Sequence, residues 1–176
     1  MKKNEIKKYY KEARKLSNNK IYGTICMIVA ASFYLYSNFI NIDQSNVTLK
    51  KCVDGDTARF IVNNEEEIVR FLAIDTPETS HPTIGKEPFG PQASNFTCDS
   101  LRNASEITLE FDPDSDKKDK YDRLLAWVFV DGKLLQEELV SEGLAEVAYL
   151  YGDYKYTYKL EDAQEIAKEN KKNIWK

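Results

Sequence analysis

The chain of 176 residues is poor in histidine and cysteine, with one histidine and three cysteines. His81 has no serine–histidine–aspartate order and no cluster of metal ligands around it, so neither a catalytic triad nor a zinc site is indicated. Cys26 lies in a hydrophobic run, which leaves Cys52 and Cys98. Two cysteines do not define a disulfide framework, and nothing in the sequence gives a geometric reason to pair them. We therefore expect the fold to depend on its hydrophobic core.

Charged residues are absent from residues 21–42, "IYGTICMIVAASFYLYSNFINI". At about 1.5 Å per residue this run is long enough to span a hydrocarbon core of about 30 Å. Residues 1–20 before it hold eight Lys/Arg and two Glu, so the positive-inside rule places the N-terminus in the cytoplasm. We predict a basic cytoplasmic segment over 1–20 and a single-pass transmembrane signal-anchor over 21–42 in the cell membrane, with the rest of the chain extracellular.

Two alternatives exist for this run. A cleaved signal peptide normally ends in a small-residue site, but Ala30, Ala31 and Ser32 fall inside the run and no such site follows it. A buried amphipathic helix would need a polar face, which the run lacks. The uncleaved anchor fits the residues better than either alternative.

The remainder divides into a short tether, 43–46, and one domain, 47–176. Alternation and turn residues predict strands over 47–53, 56–62, 67–74, 106–111 and 123–131. Helices are predicted over 92–103, 133–143 and 157–173. The order βββαββαα predicts an α+β, mainly β domain, a five-stranded OB-fold barrel with three helices. Such a fold binds nucleic acids or oligosaccharides in many proteins but does not establish a function.

Carboxylates occur where the predicted strands begin and end. "DGDT" at 54–57 is by itself typical of a solvated hairpin turn. Together with Asp75 at the end of the third strand it offers hard oxygen ligands of the kind that Ca²⁺ prefers. The loop at 112–123 does not fit an EF-hand, because Lys117 replaces the glycine and Arg123 the final glutamate.

Arg70 stands in an otherwise apolar strand, "VRFLAI". Alternation places it on one face with Ile68, Leu72 and Ile74. A buried guanidinium costs several kcal/mol unless an anion meets it. That anion is either a structural carboxylate or a ligand, and the strand alone does not decide between them.

Several motifs together resemble the staphylococcal nuclease, or thermonuclease, family. They cover about residues 47–175 and are "DGDT" (54–57), "VRFLAIDTPET" (69–79), "FGPQAS" (89–94), "DKYDR" (119–123), "DGKLLQEELVSEGLAEVAYLY" (131–151) and "NIWK" (173–176). With its N-terminal hydrophobic run the chain is similar to membrane-anchored members of the family. The resemblance implies a monomeric calcium-dependent nuclease that hydrolyses DNA and RNA, favours single strands and leaves 3′-phosphates.

The resemblance also implies roles for individual residues, residue by residue. Ca²⁺ would be bound by Asp56, Asp75 and the carbonyl of Thr76, with Asp54 beside it. Glu78 would be the general base, or the organiser of the attacking water, and Arg70 and Arg123 would hold the scissile phosphate. The nucleotide pocket would be lined by Lys120, Tyr121, Tyr149 and Tyr151. On this interpretation the anion that meets Arg70 is the substrate phosphate.

One position departs from the family pattern. Asp122 stands where the family commonly has glycine, directly before Arg123. Its charge would repel a phosphate, and aspartate adopts a positive φ less readily than glycine. We therefore expect Asp122→Gly to improve substrate affinity.

Residues 21–176 hold 17 basic and 27 acidic groups, an unusual balance for a protein that binds polyanions. We expect Ca²⁺ and a local basic cleft formed by Arg70, Arg123, Lys120 and Lys86 to overcome the global repulsion. The alternative is a catalytically silent surface module of the same fold that only binds nucleic acid. A structural calcium-binding module is a third interpretation, but it leaves both arginines unexplained.

Overall fold

The computed structural model describes residues 44–79 and 85–176, with side chains from residue 46 onward. The predicted basic segment (1–20), the predicted anchor (21–42) and His81 lie outside this part of the chain. Within the described residues, no helix has both the length and the apolar character needed to cross a bilayer.

Five strands form where the sequence predicts them. They are β2 (Thr48–Cys52), β3 (Thr57–Val62), β4 (Glu65–Phe71), β6 (Ile107–Glu110) and β7 (Leu124–Val130). Four short strands accompany them: β1 (Gln44–Asn46), β5 (Ile74–Asp75), β8 (Lys133–Leu134) and β9 (Glu146–Val147). Strand β1 takes up most of the segment predicted as a tether, because it pairs with β6.

Three helices complete the domain, as predicted. They are α1 (Gly90–Asn103), α2 (Leu135–Ser141) and α3 (Thr157–Glu169), followed by a 3₁₀ turn at Asn173–Trp175. Helix α3 ends earlier than the predicted 157–173, where the left-handed backbone of Lys171 (φ 51°) breaks the helical repeat.

The sheet curls back on itself. Its strand order is β1-β6-β7-β4-β3-β2, antiparallel except for the parallel pair β4–β7. Strands β1 and β2, at its two ends, are separated only by Val47, whose N–H donates to the carbonyl of Ile107. One continuous segment therefore borders both ends of the sheet, and this is the closure that an OB-fold barrel requires.

The core lies inside the curled sheet and against the helices. Trp127, Phe60 and Phe71 are its largest fully buried side chains from the sheet, and Leu135 and Leu160 come from α2 and α3. Burial of apolar surface at about 25 cal/mol per Å² is the main term that favours this fold.

The segment predicted as one strand over 67–74 is two strands joined by a tight turn. Strand β4 ends at Phe71, the backbone turns at Leu72 and Ala73, and β5 starts at Ile74. Ala73 has φ 60°, a left-handed conformation that costs a non-glycine residue about 1–2 kcal/mol. The N–H of Ala148 donates a hydrogen bond to the carbonyl of Ala73, so a residue outside the turn helps to hold it in place. This turn removes the separation of about 16 Å that a straight strand would impose between residues 70 and 75.

Cys52 and Cys98 form a disulfide, which the sequence analysis did not predict. Their Cα atoms are 5.6 Å apart, and the bond joins the end of β2 to α1 across 46 residues of sequence. The expectation that the core alone holds the fold was therefore wrong. The bond restricts the conformations that the unfolded chain can adopt. It therefore stabilises the folded state, as burial of the core also does.

We predict that replacing both cysteines by serine lowers the free energy of unfolding by about 2–4 kcal/mol, as expected for a loop of this length. Urea denaturation of the oxidised chain, the reduced chain and the Cys52→Ser/Cys98→Ser variant measures this change. Cys26→Ser is the matched control, because it removes a thiol outside the disulfide. Equal stability of the oxidised and reduced chains would contradict the prediction.

Candidate active site

The buried Arg70 is met by carboxylates. Its side chain is 11% exposed, and its Nη1 lies 3.2 Å from Oδ2 of Asp56, while Nη2 lies 2.8 Å from Oδ1 of Asp75. Nη1 also donates to the backbone carbonyls of Phe71 and Ile74, at 3.2 and 2.9 Å. The turn at 72–73 supplies these contacts, because it folds Ile74 and Asp75 back over the guanidinium.

Asp56 is buried and held by several donors. Its Oδ1 accepts a hydrogen bond from the Thr57 hydroxyl at 2.9 Å, and its Oδ2 accepts from the N–H and the hydroxyl of Thr76 at 3.0 and 3.1 Å. Gly55 makes room for this arrangement, since a Cβ there would lie 2.7 Å from the Thr76 hydroxyl oxygen. The "DGDT" turn and the start of the 76–79 loop are therefore locked together.

The group carries more negative than positive charge. Burial raises the pKa of Asp75, and the charge of Asp56 raises it further, while Arg70 opposes both effects. With both carboxylates ionised, two negative charges face one guanidinium, which leaves one negative charge in excess. A hard divalent cation would bind these carboxylate oxygens and compensate the excess negative charge.

Two tyrosines border this cluster. The Tyr149 hydroxyl donates to Oδ2 of Asp75 at 3.4 Å, and the Arg70 guanidinium carbon lies 5.5 Å from the centre of the Tyr149 ring. The centre of the Tyr151 ring lies 6.4 Å from the centre of the Tyr149 ring, and Tyr151 is 84% exposed. The charge of Asp75 raises the pKa of Tyr149, so this phenol stays protonated near neutral pH. Both rings are available to stack on a flat ligand.

Arg123 belongs to a second group, in the loop before β7. Asp119 Oδ2 accepts a hydrogen bond from Nε of Arg123 and forms an ion pair with its Nη2, both at 2.7 Å. Burial by itself would raise the pKa of Asp119. The hydrogen bonds that Asp119 accepts from Arg123 and from the N–H of Tyr121 have the larger effect, so its pKa is lowered. Tyr121 lies between two cations, with Lys120 at 5.0 Å and Arg123 at 5.4 Å from its ring centre.

The strand register places the two groups on neighbouring strands. Strands β4 and β7 are parallel, and Arg70 is opposite Leu125. Arg123 stands just before the start of β7 and so lies beside β4, near Arg70 along the sheet. The contacts described above for the Arg123 guanidinium and the Tyr121 ring stay within residues 119–123, so the two groups are adjacent but separate.

The candidate site is an open face. Tyr121, Tyr149 and Tyr151 are 68%, 52% and 84% exposed. Two grooves of about 500 and 750 Å³ in the described part of the chain are lined by other residues, among them Phe129 in one and Arg102 in the other. An open face of this kind suits a long, flexible ligand better than a small molecule enclosed in a cavity.

Comparison with known proteins identifies the family. A family model described as staphylococcal nuclease homologue matches residues 68–176. The chain belongs to the staphylococcal nuclease family.

Three relatives illustrate how close the similarity is. Endonuclease YncB of Bacillus subtilis (strain 168) is 46% identical over 131 residues, which are 74% of this chain and 61% of that protein. The SPbeta prophage-derived endonuclease YokF of the same organism is also 46% identical over 131 residues, 74% of this chain and 44% of its own length. A thermonuclease of Staphylococcus hyicus is 33% identical over 168 residues, 89% of this chain and 98% of that protein. The chain thus spans less than two thirds of either Bacillus protein.

The structure brings together many of the residues to which the family resemblance assigns roles. Asp56, Asp75, Thr76, Arg70 and Tyr149 form one connected cluster through the contacts given above. Tyr151 adjoins it through the Tyr149 ring, and Arg123 forms the second group with Lys120 and Tyr121. Glu78 lies shortly after Asp75, in the loop between β5 and α1. These residues come from four segments of the chain, at 56, 70–78, 120–123 and 149–151, and the third of these forms the separate second group.

Asp54 lies in the same "DGDT" turn as Asp56. Oδ1 of Asp54 accepts from the N–H of Gly55 at 2.8 Å, so the side chain caps its own turn. In residues 44–79 and 85–176, no group of three or more His, Cys, Asp or Glu is arranged to hold a metal ion. Any cation here would rely on two carboxylates, backbone carbonyls and water, as the sequence prediction of a modest calcium site implies.

Two residues that contact the candidate site were not predicted from the sequence. Asp119 orients Arg123, and its signal was available in "DKYDR", where an aspartate and an arginine stand four positions apart. Oε2 of Glu87 accepts a hydrogen bond from the backbone N–H of Glu78, at 2.9 Å. No local pattern in the sequence could have indicated this second contact.

The departure at residue 122 has a structural consequence. Asp122 has φ 62°, the left-handed conformation in which glycine is favoured. Its side chain is 83% exposed and lies 3.0 Å from Nζ of Lys118. The charge that we expect to repel phosphate is thus partly offset by a neighbouring lysine.

We predict that Asp122→Gly is more stable than Asp122→Ala by about 1 kcal/mol, because only glycine adopts this backbone without a Cβ penalty. Thermal unfolding of the two variants measures the difference. Both variants remove the same carboxylate, so they should show the same change in affinity for single-stranded DNA if repulsion matters. An affinity gain confined to the glycine variant would assign the effect to the backbone instead of to the charge.

Proposed function

We propose that this protein is a calcium-dependent nuclease that hydrolyses phosphodiester bonds of DNA and RNA. Family membership, and relatives named endonuclease and thermonuclease, support an enzyme of the nuclease class. The observation that carries the proposal is the Arg70 guanidinium held between the carboxylates of Asp56 and Asp75, at 3.2 and 2.8 Å, beside an exposed tyrosine. This cluster combines a phosphate-binding donor with oxygen ligands for a cation.

Calcium fits the donor set of this cluster. Asp56 and Asp75 are hard oxygen ligands with one negative charge in excess of Arg70, and the Thr76 carbonyl follows directly in sequence. Bound there, Ca²⁺ would supply positive charge against the charge that develops on the phosphate during hydrolysis.

The two arginines would bind the scissile phosphate. A guanidinium keeps its charge at any physiological pH and can donate two parallel hydrogen bonds to phosphate oxygens. Backbone carbonyls and carboxylates fix the plane of Arg70, and Asp119 fixes that of Arg123. Donors that are already oriented lose less entropy on binding, which favours stabilisation of the transition state.

Glu78 would act as the general base. Its carboxylate would accept a proton from the attacking water as the new bond to phosphorus forms and the bond to the leaving oxygen breaks. The 3′-phosphate product expected from the family resemblance corresponds to cleavage of the bond on the 5′-oxygen side.

The tyrosines and Lys120 would bind the nucleotide. Aromatic rings stack on any base, at about 1–3 kcal/mol per base, without sequence preference. Because Tyr121, Tyr149 and Tyr151 are exposed, unpaired bases would reach them more readily than stacked base pairs. This is the physical reason to propose a preference for single strands.

A silent binding module is the second candidate. It would use the same arginines and tyrosines but would not need a general base or the oxygen ligands. Asp56, Asp75 and Glu78 are all present, which favours the enzyme.

The location of the protein is proposed from sequence alone. The uncharged run at 21–42 and the basic flank before it support a single-pass membrane protein whose nuclease domain is extracellular. We propose a monomer from the family resemblance alone. Extracellular calcium, at millimolar concentration, would match a site with only two carboxylate ligands.

We predict calcium-dependent cleavage of single-stranded DNA by the full chain, abolished by a chelator and reduced by orders of magnitude in Glu78→Ser. The rate of product formation measures both effects, and circular dichroism checks that the variant is folded. Retained turnover in a folded Glu78→Ser variant would remove Glu78 from the mechanism. Binding of DNA without cleavage in calcium would favour the silent module.

We also predict that Arg70→Lys lowers kcat by about a hundredfold or more, because lysine keeps the charge but cannot form the two parallel hydrogen bonds. Arg59→Lys is the matched control, since Arg59 forms an exposed surface pair with Glu66. Steady-state kinetics on the same substrate measures both variants. Equal activity of Arg70→Lys and the wild type would show that charge alone suffices at this position.

A further inference from the structure

Glu87 and Glu78 are joined by hydrogen bonds in both directions. The N–H of Glu78 donates to Oε2 of Glu87 at 2.9 Å, and the N–H of Glu87 donates to the carbonyl of Glu78 at 3.0 Å. The first bond is to a carboxylate and so belongs to the stronger, charge-assisted kind. Two opposed bonds fix both the position and the orientation of the Glu78 backbone.

Helix α1 packs directly against the same backbone. A Cβ at Gly90 would lie 2.4 Å from the carbonyl oxygen of Glu78 and 2.9 Å from that of Pro77, so only glycine allows this contact. The N–H of Gly90 donates to the carbonyl of Glu87 at 3.2 Å. Glu87 therefore lies between the start of α1 and the loop that carries Glu78, and it contacts both.

The helix is in turn fixed to the carboxylate cluster. The Thr97 hydroxyl donates to the carbonyl of Gly55, directly before Asp56, and the disulfide ties Cys98 to Cys52 at the end of β2. A displacement of Glu78 relative to Asp56 would require its bonds to Glu87 to break or α1 to move. The bonds to Glu87 are therefore among the contacts that hold Glu78 in place relative to Asp56.

We propose that Glu87 is a positioning residue for Glu78, holding its backbone so that its carboxylate faces the attacking water. This rests on the proposed function, in which Glu78 is the general base. In this proposal Glu87 acts through Glu78, whereas the arginines and tyrosines would bind the phosphate and the bases. Its loss should therefore lower kcat and leave KM unchanged.

The test compares Glu87→Ala with Glu87→Gln in the full chain, on single-stranded DNA in calcium. Alanine removes the acceptor, and we expect kcat to fall tenfold or more, since misplacement by about 1 Å can cost a hundredfold. Glutamine keeps an acceptor oxygen and should retain most of kcat. Glu165→Ala, on the exposed side of α3, is the control for loss of a negative charge.

Amide hydrogen exchange at Glu78 gives a readout that does not depend on activity. Exchange should be faster in Glu87→Ala than in the wild type and protected in Glu87→Gln. Unchanged exchange in Glu87→Ala would overturn the proposal, and so would faster exchange with unchanged kcat. If the wild type cleaves no DNA in calcium but exchange is still faster in Glu87→Ala, the proposed function fails and Glu87 is only a structural contact.

Discussion

The site depends on one buried charge, the guanidinium of Arg70. Taken from water without partners it would cost several kcal/mol, and it is tolerated because Asp56, Asp75 and two backbone carbonyls meet it. This requirement constrains the chain around it. The strand must end at Phe71 and turn at once, since only a tight turn returns Ile74 and Asp75 to the guanidinium. The left-handed conformation of Ala73 is the local cost of that turn.

The same constraint explains why the site is built from separate segments. Asp56 directly precedes β3, Arg70 and Asp75 lie on either side of the turn, and Tyr149 lies in the segment after β9. Strand β9 pairs with β5, with Val147 opposite Ile74, and so places Tyr149 next to Asp75. Strands β5 and β9 form a two-stranded sheet apart from the barrel, and their pairing sets the distance between the Tyr149 ring and the Asp75 carboxylate.

Sequence reasoning could predict the five main strands and three helices because each has a hydrophobic pattern with a clear period. The motifs, taken together, also identified the family, which the family model confirms. Sequence reasoning could not predict the turn at Ala73, where an alanine adopts a backbone that favours glycine. Nor could it predict contacts made across the fold, such as the Cys52–Cys98 bond and the Glu87–Glu78 bonds, because these depend on the path of α1 and not on local pattern.

The acidic balance of the chain is compatible with a polyanionic substrate because electrostatic interactions are local. At physiological salt, charges more than about 8 Å apart on the surface are largely screened, so the net charge matters less than the groups beside the phosphate. Around the site these are two arginines with fixed planes, with Lys120 beside Tyr121. The carboxylates nearest to them, Asp56, Asp75 and Asp119, are already engaged by the arginines. A substrate phosphate bound as proposed would therefore meet oriented donors with partly neutralised partners, and the proposed cation would shift the balance further toward attraction.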